Sequence, residues 1–220
     1  MVRYIQEFSE ETISLLHNLP RVEIAKAMNI LQAAYERDAR IYVAGNGGSL
    51  ALATHWVADF NKTVFSHHLD TPQRRFQAIR VPTTEEEMTA WANDVGFDMV
   101  FAGPLKNYMQ DSDVLIAISS SGRSENIIRA VELARSQKVP VIGISGFDGG
   151  RLNLLSDAKI LIPTTSGEYG LVEGVHAIVL HIFTKYFREY FDHVFFSRKG
   201  PEKVYAAPIS STVDRICSVL

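Results

Sequence analysis

Short apolar runs that alternate with helical segments restrict the fold of this chain more than any other feature. Runs of β-favouring residues occur at positions 40–44, 77–81, 113–118, 139–144 and 159–162. Helical patterns lie between or after them, at 50–60, 84–92, 125–136 and 172–191. Strands that are apolar on both faces are typical of parallel sheets covered by helices on each side. The alternation therefore predicts an α/β fold, a three-layer αβα sandwich around a doubly wound parallel sheet of the flavodoxin-like kind.

The N-terminal part of the chain has a clear helical pattern, whereas the C-terminal part does not. Apolar residues recur at helical spacing over residues 1–38, interrupted at Pro20, and predict N-terminal helices. No linker divides the chain, so we expect a single domain over residues 1–191. Residues 192–220 are treated as a C-terminal extension of unknown role, with a short helix predicted at 212–220.

Composition and charge exclude several classes of protein. The 220 residues are 46% hydrophobic and 21% charged, which predicts a packed core rather than a disordered chain. The net charge of −3 argues against a general attraction to nucleic acid, so no direct nucleic-acid partner is expected. The single cysteine, Cys217, excludes an internal disulfide and a cysteine-rich zinc site. No targeting signal or membrane-length apolar run stands out, so we expect a cytoplasmic protein without a membrane partner.

A serine-rich run at residues 119–124, Ser-Ser-Ser-Gly-Arg-Ser, follows a predicted strand and opens a predicted helix. The first turn of a helix offers free backbone N–H groups and a positive dipole, which suit an anion such as phosphate. The serine hydroxyls add donors, and Gly122 allows close backbone approach. The alternative is a serine-rich loop in which one serine caps the helix.

A glycine-rich turn at residues 45–49, Gly-Asn-Gly-Gly-Ser, is similar in build. It lacks the Lys-Ser/Thr ending of a Walker loop and does not match G-x-G-x-x-G, so neither a nucleoside triphosphate nor a dinucleotide is indicated. Asn46 and Ser49 suit the hydroxyls or phosphate of a small ligand. A purely structural turn remains the alternative.

His55 and Asp59 lie four residues apart on the helix after this turn and share a face. The spacing suits two metal ligands or a carboxylate–imidazole pair, with a surface His–Asp contact as the alternative. On the last helix, His176 and His181 are about 140° apart around the axis, so we do not expect both to point into one site. His176 is predicted to be a core or interface histidine.

The order of these motifs resembles the sugar isomerase (SIS) superfamily. The resemblance covers about residues 5–191 and rests on the glycine turn, His55, the pair Asn93-Asp94, the serine run, the Phe-Asp-Gly-Gly run at 147–150, and the late histidines. Within the superfamily, the pattern is similar to the phosphoheptose isomerases. Two histidines outside the pattern, His67 and His68, are predicted to be solvated in a loop.

The resemblance implies that the chain isomerises a phosphorylated sugar, sedoheptulose 7-phosphate to D-glycero-D-manno-heptose 7-phosphate, through an enediol. Asp59 and His181 would be the catalytic, proton-transferring groups. The residues implied to bind the sugar phosphate are Asn46, Gly47, Ser49, Asp94, Ser119, Ser120, Ser121, Ser124 and Glu173.

The resemblance also implies a zinc site at His55, Asp59, Glu173 and His181, although the family has Glu in place of Asp59 and Gln in place of Glu173. Eight helical residues span about 12 Å, too far for Glu173 and His181 of one helix to meet one ion. Either Glu173 precedes the regular helix, or the two residues come from different subunits. The family implies a homotetramer with sites between subunits, which favours the second explanation.

Two alternatives to this function remain open at the level of sequence. The first is a non-catalytic protein of the same fold that binds phosphosugars or regulates replication initiation, which the substitutions at 59 and 173 would favour. The second is an isomerase of another phosphosugar.

Overall fold

A five-stranded parallel sheet forms the middle layer of the molecule. A computed structural model describes residues 1–70 and 74–197 of the chain. The sheet has the order β2-β1-β3-β4-β5, and every neighbouring pair is parallel. Its strands are β1 (Arg40–Gly45), β2 (Gln77–Val81), β3 (Val114–Ser119), β4 (Val141–Gly146) and β5 (Ala158–Ile162). All five predicted strands and the predicted fold class are confirmed.

Helices cover both faces of this sheet and make the outer layers. They are α1 (Val2–His17), α2 (Arg21–Glu36), α3 (Gly48–Asn61), α4 (Glu85–Asp94), α5 (Ala102–Tyr108), α6 (Glu125–Ser136), α7 (Gly150–Leu155) and α8 (Tyr169–Ser197). Short 3-10 helices occur at Thr63–Phe65 and Phe97–Met99. None of the described helices combines the length and apolar character that a membrane span requires.

The alternation of side chains along the strands separates two cores. In β3, Ile116 and Ile118 face the layer made by α2, α3 and α8, whereas Leu115 and Ala117 face α5, α6 and α7. All six residues of β3 are buried. This two-sided burial explains why the strand is a continuous apolar run in the sequence.

Four phenylalanines on α8 form a row along the first of these cores. Phe183, Phe187, Phe191 and Phe195 are each four residues apart, so they lie on one face of the helix and are all buried. The predicted domain boundary at residue 191 falls inside α8, and Phe195 beyond it belongs to the core. The helix predicted at 212–220 lies outside the described residues.

Two short helices, α5 and α7, are absent from the sequence prediction. The pattern at residues 146–150 predicts only the close of a strand, yet α7 begins at Gly150. With six or seven residues each, both helices are too short to show the apolar periodicity on which a prediction depends.

Truncation of the aromatic row is expected to destabilise the domain. Phe187 is fully buried, with its ring centroid 5.0 Å from that of Phe76 and 6.0 Å from that of Phe60. Phe187→Ala should lower the free energy of unfolding by about 3–5 kcal/mol in chemical denaturation. The exposed neighbour Tyr186 provides the control, since Tyr186→Ala should cost clearly less. Equal losses for the two variants would contradict this account of the core.

Candidate active site

The glycine-rich turn (45–49) and the serine-rich run (119–124) follow β1 and β3, the two neighbouring strands between which the strand order of the sheet reverses. From β1 the chain continues to β2 on one side of it, while β3 pairs with β1 on the other, and Gly45 is in register with Ile118. The carboxyl ends of β1 and β3 therefore leave a crevice between the turns that follow them. In open α/β sheets, ligands bind at such a switch point.

Helices α3 and α6 begin at this crevice, and neither has a side-chain cap hydrogen bond within the described chain. Among the described helices α1 to α7, only α4 has such a cap, because Thr84 Oγ1 accepts a hydrogen bond of 3.1 Å from the Glu87 N–H. Apart from the Ile127 N–H of α6, which donates to the Asn126 side chain, these first turns leave N–H donors and the positive end of the helix dipole for a ligand. The arrangement suits an anion.

A cavity of about 130 Å³ occupies this crevice. Most of its lining residues carry hydroxyl, amide or carboxylate groups: Asn46, Ser49, Ile118, Ser119, Ser120, Ser121, Ser124, Tyr169 and Glu173. The Ser119 and Ser124 hydroxyl oxygens are 3.3 Å apart. The Ser120 hydroxyl is buried without a hydrogen-bond partner among the described residues, which leaves it available to a ligand.

The two turns are held together by a pair of amides. Asn46 and Asn126 exchange reciprocal side-chain hydrogen bonds of 2.9 Å, and the Asn126 amide oxygen also accepts the N–H of Ile127. Sequence reasoning assigned Asn46 to the substrate and missed Asn126. The sequence signal for Asn126 was its position as a polar residue in the first turn of the predicted helix, and the structure shows that this position is buried.

The serine run also packs tightly against the turn after β4. A Cβ on Gly122 would collide with the Gly149 carbonyl, and the backbone of Gly122 has a φ of +62°. Arg123, which belongs to the serine run, donates two hydrogen bonds to Asp148, at 2.6 and 2.5 Å. These bonds lower the pKa of Asp148 to about 2. Both residues line a second cavity of about 420 Å³, which shares Ser121 and Tyr169 with the first.

A cluster of possible metal ligands lies between α3 and α8. His55, Asp59 and His181 each offer one donor atom, and these atoms lie within 4.8 Å of one another. The His55 and His181 ring centroids are 5.1 Å apart, and His55 Nε2 lies 3.8 Å from Asp59 Oδ2. Two imidazoles and a carboxylate are a ligand set that zinc accepts in catalytic sites, which keep one position open.

Glu173 does not join this cluster. It lies inside α8, two turns before His181, and lines the small cavity, where a Cβ on Gly48 would collide with its carboxylate. Glu173 therefore does not precede the regular helix. This excludes one of the two explanations for how Glu173 and His181, eight residues apart, could meet one ion.

Three other polar residues, Asp94, His67 and His68, lie outside both cavities and the metal-ligand cluster. Asp94 is exposed at the end of α4, accepts a 2.7 Å hydrogen bond from Asn93, and lines neither of the two cavities. The prediction that His67 and His68 are solvated holds for His67, which is exposed, and is wrong for His68. Both pair with Asp192 of α8, at 3.0 and 2.8 Å, and His68 is buried. A partner 124 positions away leaves no local signal in the sequence.

His176 is a core histidine, as its helical position predicted. It is fully buried, and its Nε2 lies 3.1 Å from the carbonyl oxygen of Ser145 at the end of β4. Burial lowers the pKa of His176 to about 4, since the charged imidazolium would be desolvated. The neutral ring can donate from Nε2 and thereby joins α8 to the sheet next to the cavity.

This lowered pKa predicts a loss of stability in mild acid. Between about pH 6.5 and pH 4 the unfolded chain binds a proton at His176 that the folded chain does not bind, so stability falls as the pH falls. The contribution is at most about 3 kcal/mol. His176→Gln, which retains a donor, should reduce this fall in urea titrations at several pH values. His193→Gln, at an exposed histidine of the same helix, is the matched control, and parallel curves for wild type and His176→Gln would refute the assignment.

Comparison with known proteins agrees with this geometry. The SIS domain family model matches residues 3–146. The chain is 36% identical over 171 residues to the phosphoheptose isomerase of a Nitratiruptor species, covering 78% of this chain and 88% of the relative. Two solved phosphoheptose isomerases, each 25% identical, are similar in fold. The Neisseria gonorrhoeae enzyme has a TM-score of 0.73 over 85% of this chain and 98% of its own, and the Francisella tularensis enzyme 0.74 over 86% and 98%. The chain therefore belongs to the SIS domain family.

Proposed function

We propose that the chain is an isomerase that converts sedoheptulose 7-phosphate to D-glycero-D-manno-heptose 7-phosphate through an enediol. The observation that carries the proposal is the hydroxyl-lined cavity between the uncapped first turns of α3 and α6. Its relatives named phosphoheptose isomerase support an enzyme over a regulatory protein of the same fold.

In this proposal the small cavity binds the phosphate. Ser49, Ser119, Ser120, Ser121 and Ser124 supply hydroxyl donors, and the two helix ends supply backbone donors. No lysine or arginine lines this cavity among the described residues, so hydrogen bonds and helix dipoles hold the dianion. Anchoring the far end of the sugar fixes the register of its reacting carbons.

The chemistry requires groups that move protons between adjacent carbons and oxygens. We assign this proton transfer to Asp59 and His181, which lie close together in the cluster that they form with His55. Asp59 takes the proton from the carbon beside the carbonyl and returns it to the neighbouring carbon, while His181 exchanges protons with the oxygens of the enediol. Asn46 and Gly47 are assigned to the rest of the sugar, whereas Asp94 lines neither cavity of the single chain.

The same cluster fits a divalent cation such as zinc. His55, Asp59 and His181 would hold it, and the bound ion would supply positive charge near the developing enediolate oxygen. The shorter Asp59 and the acidic Glu173, where the family has Glu and Gln, keep a set of nitrogen and oxygen donors. Glu173 would complete the set from a neighbouring subunit.

A site shared between subunits requires an oligomer, and we propose the homotetramer of the family. None of the residues of α1 is buried in the single chain. Its exposed apolar side chains include Val2, Tyr4, Ile5, Phe8 and Ile13. An amphipathic helix with an uncovered apolar face is a suitable subunit contact.

The direct test of the proposed function is turnover of sedoheptulose 7-phosphate by the purified protein, with and without added zinc. Asp59→Asn and His181→Asn should each lower kcat by about 10²–10⁴-fold, since they remove proton-transfer groups. Absence of turnover under both conditions by folded wild-type protein would refute the proposal.

The phosphate cradle makes a separate prediction about KM. Ser121→Ala should raise KM roughly 10- to 100-fold, because it removes a hydrogen bond to a charged group. Ser136→Ala, at an exposed serine at the end of α6, should leave KM unchanged. An unchanged KM in Ser121→Ala would place the phosphate elsewhere.

Sharing of the site between subunits can be tested by complementation. Glu173→Ala and His181→Asn should each be inactive alone, whereas co-expression should restore up to about a quarter of wild-type activity through hybrid sites. If mixed oligomers form without any recovery, the two residues do not act across a subunit boundary.

A further inference from the structure

Thr184 is a buried hydroxyl next to the proposed metal ligands. It lies on α8 three residues after His181, so the two side chains share a face of the helix. It is only 6% exposed, and a hydroxyl at such a depth requires a hydrogen-bond partner.

The partner of this hydroxyl is the carboxylate of Asp59. Thr184 Oγ1 lies 2.9 Å from Asp59 Oδ2 and 3.1 Å from the carbonyl oxygen of Leu180. A hydroxyl has one proton to donate, and a carboxylate is the stronger acceptor, so Asp59 receives it. Among the described residues, this is the one side-chain hydrogen bond found for Asp59. Asp59 is itself 8% exposed.

The contact compensates for the length of the side chain at position 59. Aspartate is one methylene shorter than glutamate, so its carboxylate stays close to the α3 backbone. Thr184 reaches that carboxylate from the opposite helix and limits its rotation. Groups that hydrogen-bond a metal-ligating carboxylate orient it, and their loss typically weakens metal binding.

We propose that Thr184 is a positioning residue, which holds the Asp59 carboxylate in the orientation that binds a divalent cation together with His55 and His181. The inference rests on the metal site of the proposed function. It assigns a residue of α8 that would act through Asp59 and not by contact with the substrate.

Zinc affinity of the purified protein, measured without substrate by competition with a chelating dye, tests the proposal. Thr184→Val, which keeps the shape but removes the donor, should weaken zinc binding roughly 10- to 100-fold. Thr184→Ser, which restores the donor, should return the affinity to within about threefold of wild type. Thr54→Val on α3 is the matched control, because the one hydrogen bond found for that hydroxyl within the described residues is to the Leu50 carbonyl of its own helix.

A double-mutant cycle separates positioning from general damage to the fold. In an Asp59→Asn background, Thr184→Val should have no further effect on zinc affinity, since the group it orients is gone. Thermal denaturation of the metal-free variants verifies that each one is folded. The proposal is overturned by unchanged affinity in Thr184→Val, by failure of Thr184→Ser to rescue, or by an equal loss in the Asp59→Asn background.

Failure of this inference is distinguishable from failure of the proposed function. A wild-type protein that binds zinc no better than His55→Asn overturns the role of Thr184. A protein that binds zinc through Asp59 and Thr184, yet does not turn over the sugar phosphate, supports the inference and overturns only the isomerase activity.

Discussion

The packing of α8 against α3 is the contact on which both the core and the candidate site depend. Trp56 and Phe60 of α3 contact Phe183 and Phe187 of α8, with ring centroids 5.2 and 6.0 Å apart. His55, Asp59, His181 and Thr184 lie within two residues of these aromatic side chains in the sequence, so the same helix pair brings them together. Apolar burial thus supplies the free energy that holds polar groups in fixed positions.

The second constraint is electrostatic and concerns how a chain of net charge −3 would hold a phosphate. The cavity between β1 and β3 is lined by hydroxyls and helix ends in place of basic side chains, and Arg123 nearby is neutralised by Asp148. Glu173 adds negative charge to the lining of this cavity, which opposes a phosphate unless a cation or a hydrogen-bond donor of the ligand offsets it. In the proposed function, a metal held partly by a neighbouring subunit would offset this negative charge.

The parts of the site that could be predicted from sequence are those that depend on local spacing. The serine run and the glycine turn each follow an apolar strand directly, so their placement at the carboxyl edge of the sheet follows from strand direction alone. His55 and Asp59 share a face because they are four residues apart. Asn126, Thr184 and the Asp192 contacts of His67 and His68 could not be found in this way, because their partners lie 80 to 125 positions away.

The sequence by itself determined the alternation of strands and helices, the two ligand-suited turns and the chemistry of the available side chains, because these depend on the pattern of neighbouring residues. Only the tertiary structure decided the strand order that places both turns at one switch point. It also decided that Glu173 lies apart from His181, and that a threonine on α8 holds the Asp59 carboxylate. These contacts join residues that are far apart in the sequence. They depend on how the helices pack on the sheet, and that packing is set by the whole core.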